Sequence, residues 1–192
     1  MKYFVLSILL FSYSTSFAQP NCEAFKYLGD TLKYEACKKS MDRRGHYQFS
    51  REYQTALDES LAIDSTFDFA YKAKSIAYLK SGYFVTWKKL IDKAVEYNPK
   101  EHLGYRGWCR YQFFRDYEGA IRDIERLDSL VDHDIGQCQT GTYHLNVAKG
   151  LCYKGIGEKE RAIAIIEEQI RLGEAEKFVG AYDYLHLGVL YL

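Results

Sequence analysis

A spacing that recurs along the chain limits what it can fold into. Near the end, Tyr184 is followed by Leu187, Gly188 and Tyr191. Residues three and four apart share one face of a helix, so this spacing lines up aromatic and aliphatic side chains. The glycine lets a neighbouring helix come close. Upstream, Gly150 and Tyr153 repeat the glycine–tyrosine step. Gly157 then marks a helix end, where a positive φ is wanted. Ala162 and Ile166, four apart, open the next helix. Tyr111, Tyr117, Ala120 and Ile124 follow the same order, as do Tyr71, Tyr78, Gly82, Ile91 and Ala94. Pro99 closes a helix. It is one of only two prolines, so long helices are permitted throughout.

These features resemble the tetratricopeptide repeat family. Tyr184-x-x-Leu187-Gly188-x-x-Tyr191 is similar to the opening of that family's first helix, with Tyr in place of Trp. Lys80-Ser81-Gly82-Tyr83-Phe84, Arg115 to Ile121 and Gly155 to Ile163 resemble its turn and second-helix opening. The resemblance covers roughly residues 50 to 192 and implies an all-α fold. This would be an α–α superhelix, a tetratricopeptide-like solenoid of about four helix pairs plus a final helix. On this register residues 19–66 form a degenerate N-terminal pair acting as a cap, and 67–192 carry the repeats. Glu23 to Asp42 reads as one long helix with Phe25, Leu28, Leu32 and Cys37 facing inward. Arg43-Arg44-Gly45-His46 reads as a turn.

Departures from the family period of about 34 residues locate an insertion. The tyrosines at 78, 111, 153 and 191 are 33, 42 and 38 apart. The long interval places the extra residues in 131–141, a loop of the kind that borders a binding face. The resemblance implies a concave groove lined by first helices. Its candidate partner-binding residues are Lys72, Tyr105, Arg106, Gln112, His144, Lys154 and Tyr182. Arg106 is expected to be exposed there. The family's best-known groove clamps a terminal carboxylate with Lys and Asn. Ile76 and Arg106 stand where this chain would need Asn, so the clamp is not carried over.

The first residues have the pattern of an export signal. Lys2 precedes an apolar run from Tyr3 to Phe11, too short to span a bilayer, and Ser16-Phe17-Ala18 offers a cleavage site after Ala18. Removing residues 1–18 leaves 25 basic against 26 acidic side chains, so no net positive field pulls on nucleic acid. Export to a periplasm or beyond is expected, with no membrane span in the mature chain. The five cysteines, Cys22, Cys37, Cys109, Cys138 and Cys152, show no C-x-x-C spacing. Cys109 and Cys152 are expected to pack between helices, and Cys22 and Cys37 lie too close in sequence to assign as a pair.

The function expected is binding of a protein or peptide partner, without cofactor, metal or catalytic residues. No motif of nucleotide, metalloprotease or serine hydrolase chemistry occurs. Two other readings stay open. One is a metal-dependent enzyme built on His133, His144 and the acids of the 131–144 segment. The other is a self-assembling protein that forms a homo-oligomer through its apolar C-terminal helix.

Overall fold

The computed structural model describes residues 20–176, 178–180 and 182–192. The export signal expected in residues 1–18 lies outside them. The described chain is helical, without strands, and has ten α-helices. They are α1 (Cys22–Tyr27), α2 (Thr31–Ser40), α3 (Arg51–Ile63), α4 (Asp68–Lys80), α5 (Phe84–Tyr97), α6 (Pro99–Cys109), α7 (Tyr117–Leu130), α8 (Leu145–Gly155), α9 (Lys159–Ala175) and α10 (Asp183–Tyr191). A 3-10 turn, Met41–Arg43, follows α2, and a π turn, Arg110–Phe114, follows α6. Helices adjacent in sequence pack together. The most extensive contacts join α2 to α3, α4 to α5, α6 to α7, and α8 to α9.

Three of these pairs close in the same way. Gly82 (φ 77°) and Gly157 (φ 88°) follow α4 and α8 in the left-handed region. The next amide, of Tyr83 or Glu158, donates back to the carbonyl of Tyr78 or Tyr153 at 2.9 Å in both cases. This wrap satisfies carbonyls that a helix end would otherwise leave open. After α6 the left-handed residue is Arg115 (φ 53°), and the amide of Asp116 reaches Arg110 at 3.1 Å, one residue further back. The π turn accounts for that extra residue. Arg110, not Tyr111, is therefore the counterpart of Tyr78 and Tyr153.

Small residues set how closely the pairs pack. A Cβ on Gly107 would lie 3.1 Å from Ile124 Cγ1 and 3.3 Å from the Ala120 carbonyl. A Cβ on Gly150 would lie 2.6 Å from Ile166 Cγ1 and 3.2 Å from the Ala162 carbonyl. Both glycines lie three residues before their marker, Arg110 or Tyr153. At Gly188, three before Tyr191, nothing lies within 4 Å.

The N-terminal reading needs correction. Gly29 (φ 78°) breaks the expected long helix into α1 and α2, and Leu28 and Leu32 are exposed rather than inward. The break turns α1 back onto α2, and Cys22 and Cys37 form a disulfide. On a single helix residues 15 apart would be separated by about 22 Å. Cys37 packs with Tyr53, Leu57, Phe67, Ala70 and Ala73 in one apolar cluster. A larger cluster runs from Trp87 to Leu190. Phe67, which precedes α4, and Ala70 and Ala73 of α4 belong to the smaller cluster, so the N-terminal core extends past residue 66 into α4. Cys109 and Cys152 are buried free thiols between helices, as expected, and Cys138 is buried too. Pro99 does not close a helix but opens α6. Asn98 caps that helix, its side chain accepting from the amide of Glu101.

Candidate functional site

A groove along α4 is built from two adjoining cavities, the first between α4, the 43–48 turn and the start of α3, the second between α4 and α6. One, of 480 Å³, is walled by Arg43, Arg44, His46, Tyr53, Phe69 and Lys72. The other, of 650 Å³, is walled by Leu79, Phe84, Tyr105, Trp108, Phe113 and Gln139. Gln48 and Ile76 belong to both walls, so the groove has a basic end and an aromatic end that adjoin at these residues.

At the basic end, the 3-10 turn places Arg43 under α4. Its Nη1 donates to the Ser40 carbonyl at 2.5 Å, and its guanidinium lies 4.7 Å from the centre of the Phe69 ring. Burial pushes the Arg43 pKa down. Lys72 Nζ sits 5.2 Å from the centre of the Tyr105 ring, a cation–π contact that joins the two ends. Burial also lowers the Lys72 pKa, and the charge of Glu101 works against that. It pushes the Tyr105 phenol well above its ordinary value and the neighbouring Cys109 thiol up to about 12. Both therefore stay protonated at neutral pH.

At the aromatic end, the 131–144 segment comes up against α6. The Cys138 amide donates to the Tyr143 carbonyl at 2.9 Å, and Gln137 bridges to His144. This tight return carries Gln139 to the groove wall and Tyr143 into the core. There Trp108 Nε1 donates to the Tyr143 hydroxyl at 3.3 Å, and that hydroxyl donates to Gln112 Oε1 at 3.4 Å. Phe113, half exposed, meets Trp108 edge to face at 5.5 Å. The expected loop insertion thus lies between α7 and α8 and borders the groove.

The sequence-derived candidates separate on this structure. Lys72 and Tyr105 lie together in the groove, and Gln112 supports its aromatic rim from outside the wall. Lys154 and Tyr182 are exposed elsewhere, on α8 and just before α10. Arg106 is not exposed. Its Nε and Nη2 grip both oxygens of Asp123 at 2.8 and 2.6 Å, and Nη1 reaches Asp92 at 2.9 Å. Burial alone would lower its pKa, but those carboxylates outweigh burial and raise it. It joins α5, α6 and α7 rather than facing a ligand. His144 is 2% exposed and caps α8. Its Nδ1 accepts from the Asn146 amide at 3.1 Å, so Nε2 carries the proton and donates to Asp134 at 2.8 Å.

Both ring nitrogens of His144 are thus held by local structure, and His133 is exposed nearby. Among the described residues, no group of three or more His, Cys, Asp or Glu side chains is placed to hold a metal. Arg43, Arg44 and His46 were visible in the sequence only as a turn. Their signal was four consecutive residues with three basic side chains and no acid.

A pH dependence follows from His144. Burial lowers its pKa below the ordinary 6.5, against the opposing pull of Asp134. The folded chain then binds fewer protons than the unfolded chain, so stability is lost as pH falls below that value. His186, packed edge-on against Tyr143 at 5.5 Å, is shifted down by burial and acts with the same sign. Melting curves at pH 7.5 and 5.5 should show a loss of roughly 2–4 °C at the lower pH. His144→Asn keeps a helix cap and should shrink the difference.

Comparison with protein-family models, with curated proteins and with solved structures finds no match to this chain.

Proposed function

We propose that this chain is an exported, tetratricopeptide-like helical repeat protein that binds a protein segment in the groove along α4, between the 43–48 turn and α6. The adjoining basic and aromatic cavities carry the reading. Their volumes are in the range of sites that enclose side chains or small ligands, and aromatic and cationic residues are favoured where binding energy concentrates. Recurrent left-handed turns after α4, α6 and α8, with tight glycine contacts at Gly107 and Gly150, support a repeat architecture. The Cys22–Cys37 disulfide supports an oxidising compartment, and residues 1–18 have the composition of an export signal. No described helix is long and apolar enough to cross a membrane.

The test is a crosslinking capture from the native cell envelope with the tagged protein. A partner held in the groove is lost with Phe113→Glu, whose site is half exposed, and kept with Glu160→Lys on α9. Melting temperatures of both variants should stay within about 2 °C, as for surface changes generally. A partner retained equally by both variants overturns the groove reading.

A second reading, association between copies through α10, is favoured by the open face around Gly188. Leu185, Val189 and Leu192 form an exposed stripe at i, i+4 and i+7 there. Two copies related by a two-fold axis could set Leu185 or Val189 of one over Gly188 of the other, a self-complementary contact. Light scattering should then give twice the chain mass, reverting to one with Leu185→Glu. A single-chain mass at high concentration overturns it.

A further inference from the structure

We propose that the open face of α10 receives an amphipathic helix of a partner protein. That helix carries a basic residue, then a small residue, and a branched apolar residue four positions after the small one. This surface lies apart from the groove, since no residue of α10 lines either cavity.

The internal repeat specifies the occupant. Gly107 and Gly150 each lie three residues before their marker, and each is covered by the helix that follows. The covering residues hold fixed positions. Ala120 and Ile124 stand four and eight residues after Asp116, and Ala162 and Ile166 stand four and eight after Glu158. All four are fully buried. Gly188 stands three residues before Tyr191, and nothing lies within 4 Å of a Cβ there. Among the described residues α10 packs on α9 and α8, as α8 packs on α7 and α6. The side of α10 that corresponds to the α9 side of α8 is therefore open.

The residues around Gly188 are apolar. At about 100° per residue, Tyr184, Leu185, Tyr191 and Leu192 fall within about 60° of it on the helix. All four are more than half exposed, while Leu190 on the other side is buried in the larger core and anchors α10.

Charge adds to the match. On α8 the Tyr153 hydroxyl donates to Glu125 at 2.9 Å, and the Arg161 guanidinium of α9 lies 3.9 Å from the centre of the Tyr153 ring. Arg161 also faces Glu125 at 3.9 Å, so one cation covers both ring and acid. On α10 the first half of this arrangement recurs. The Tyr191 hydroxyl donates to Glu167, which follows Ile166 as Glu125 follows Ile124. Tyr191 is 60% exposed, whereas Tyr153 is 4% exposed. A basic residue just before the small one, in the place of Arg161, covers Tyr191 and meets Glu167. A second copy would present α10 itself, whose residues include no Lys or Arg. Charge therefore favours a partner helix over the pairing of two α10 helices.

The experiment uses a labelled synthetic peptide of residues 158–176, which carries Arg161, Ala162 and Ile166 at the required positions. Added to the whole purified protein, it should bind by fluorescence anisotropy and gain helicity on binding. Affinity should fall at least about tenfold for the peptide with Ile166→Glu. It should fall as far for protein with Gly188→Leu, whose added side chain blocks the close approach. Glu167→Lys in the protein should weaken binding about tenfold, and Arg161→Glu in the peptide should restore most of that. No binding of the peptide overturns the inference, as does undiminished binding to the Gly188→Leu protein. A protein dimer that Leu185→Glu separates and the peptide does not displace assigns the face to a second copy, and also overturns it. Crosslinks from position 113 report on the groove reading separately. Circular dichroism melts of each protein variant separate lost binding from lost folding.

Discussion

Arg106→Glu is expected to cost the fold about 4 kcal/mol and to lower the melting temperature by about 10 °C or more. Asp123 is almost fully buried, and the Arg106 guanidinium holds both of its oxygens. Removing one partner of a buried pair strands the other, and a glutamate adds a third negative group beside Asp92 and Asp123. Arg110 Nε, 3.3 Å from Asp123, gives partial relief, so the chain should remain foldable at low temperature. Thermal and urea unfolding check this. A double-mutant cycle with Asp123→Leu should show strong coupling, since Arg106→Leu with Asp123→Leu removes both charges and restores much of the stability. A melting temperature within 2 °C of the parent would mean that Arg106 is solvated and free to meet a ligand.

Gly150→Leu is the second large effect, a loss of about 3 kcal/mol. The first added carbon already falls 2.6 Å from Ile166 Cγ1 and 3.2 Å from a carbonyl oxygen. Ile166 is fully buried on α9, so it cannot swing away, and the α8–α9 pair must open. The gain in helix propensity over glycine, about 1 kcal/mol, offsets only part of this. Gly188→Ala supplies the contrast. Nothing lies within 4 Å of that site, so the propensity gain should appear as stabilisation of the single chain by up to about 1 kcal/mol. Unfolding curves of the two variants should therefore shift in opposite directions. A stabilised Gly150→Leu would contradict the close approach of α8 and α9.

The helical class was readable in the sequence because its signals are local. Gly82 and Gly157 sit where a left-handed residue must end a helix, and the sequence shows both directly. The 131–141 insertion was readable as an excess over the repeat period. Misreadings arose where the determinant is non-local or shifted by one residue. The π turn after α6 displaces the marker from Arg110 to Tyr111, which hid Gly107 as the partner of Gly150 and Gly188. Gly29, a single glycine among helix-forming residues, broke a helix that periodicity alone would have continued. The exposure of Arg106 depended on Asp92 and Asp123, residues 14 and 17 positions away, and no spacing rule links them. His144 was read as a groove residue because it falls in register. Its actual role, capping α8, depends on Asp134 folding back across the loop. The basic cavity needed Phe69 and Lys72 from α4 to be set against a turn nearly thirty residues earlier. Composition showed three basic side chains there but not the enclosure around them.

A partner held as proposed lies along α4 and meets α6 at the aromatic wall. A benzophenone amino acid placed at position 113, on the aromatic wall, tests it most directly against the same probe at position 160 on α9. Ultraviolet irradiation in the native cell envelope should join a partner peptide to position 113 and leave position 160 unlinked. Crosslinks from position 160, with none from position 113, would contradict the account.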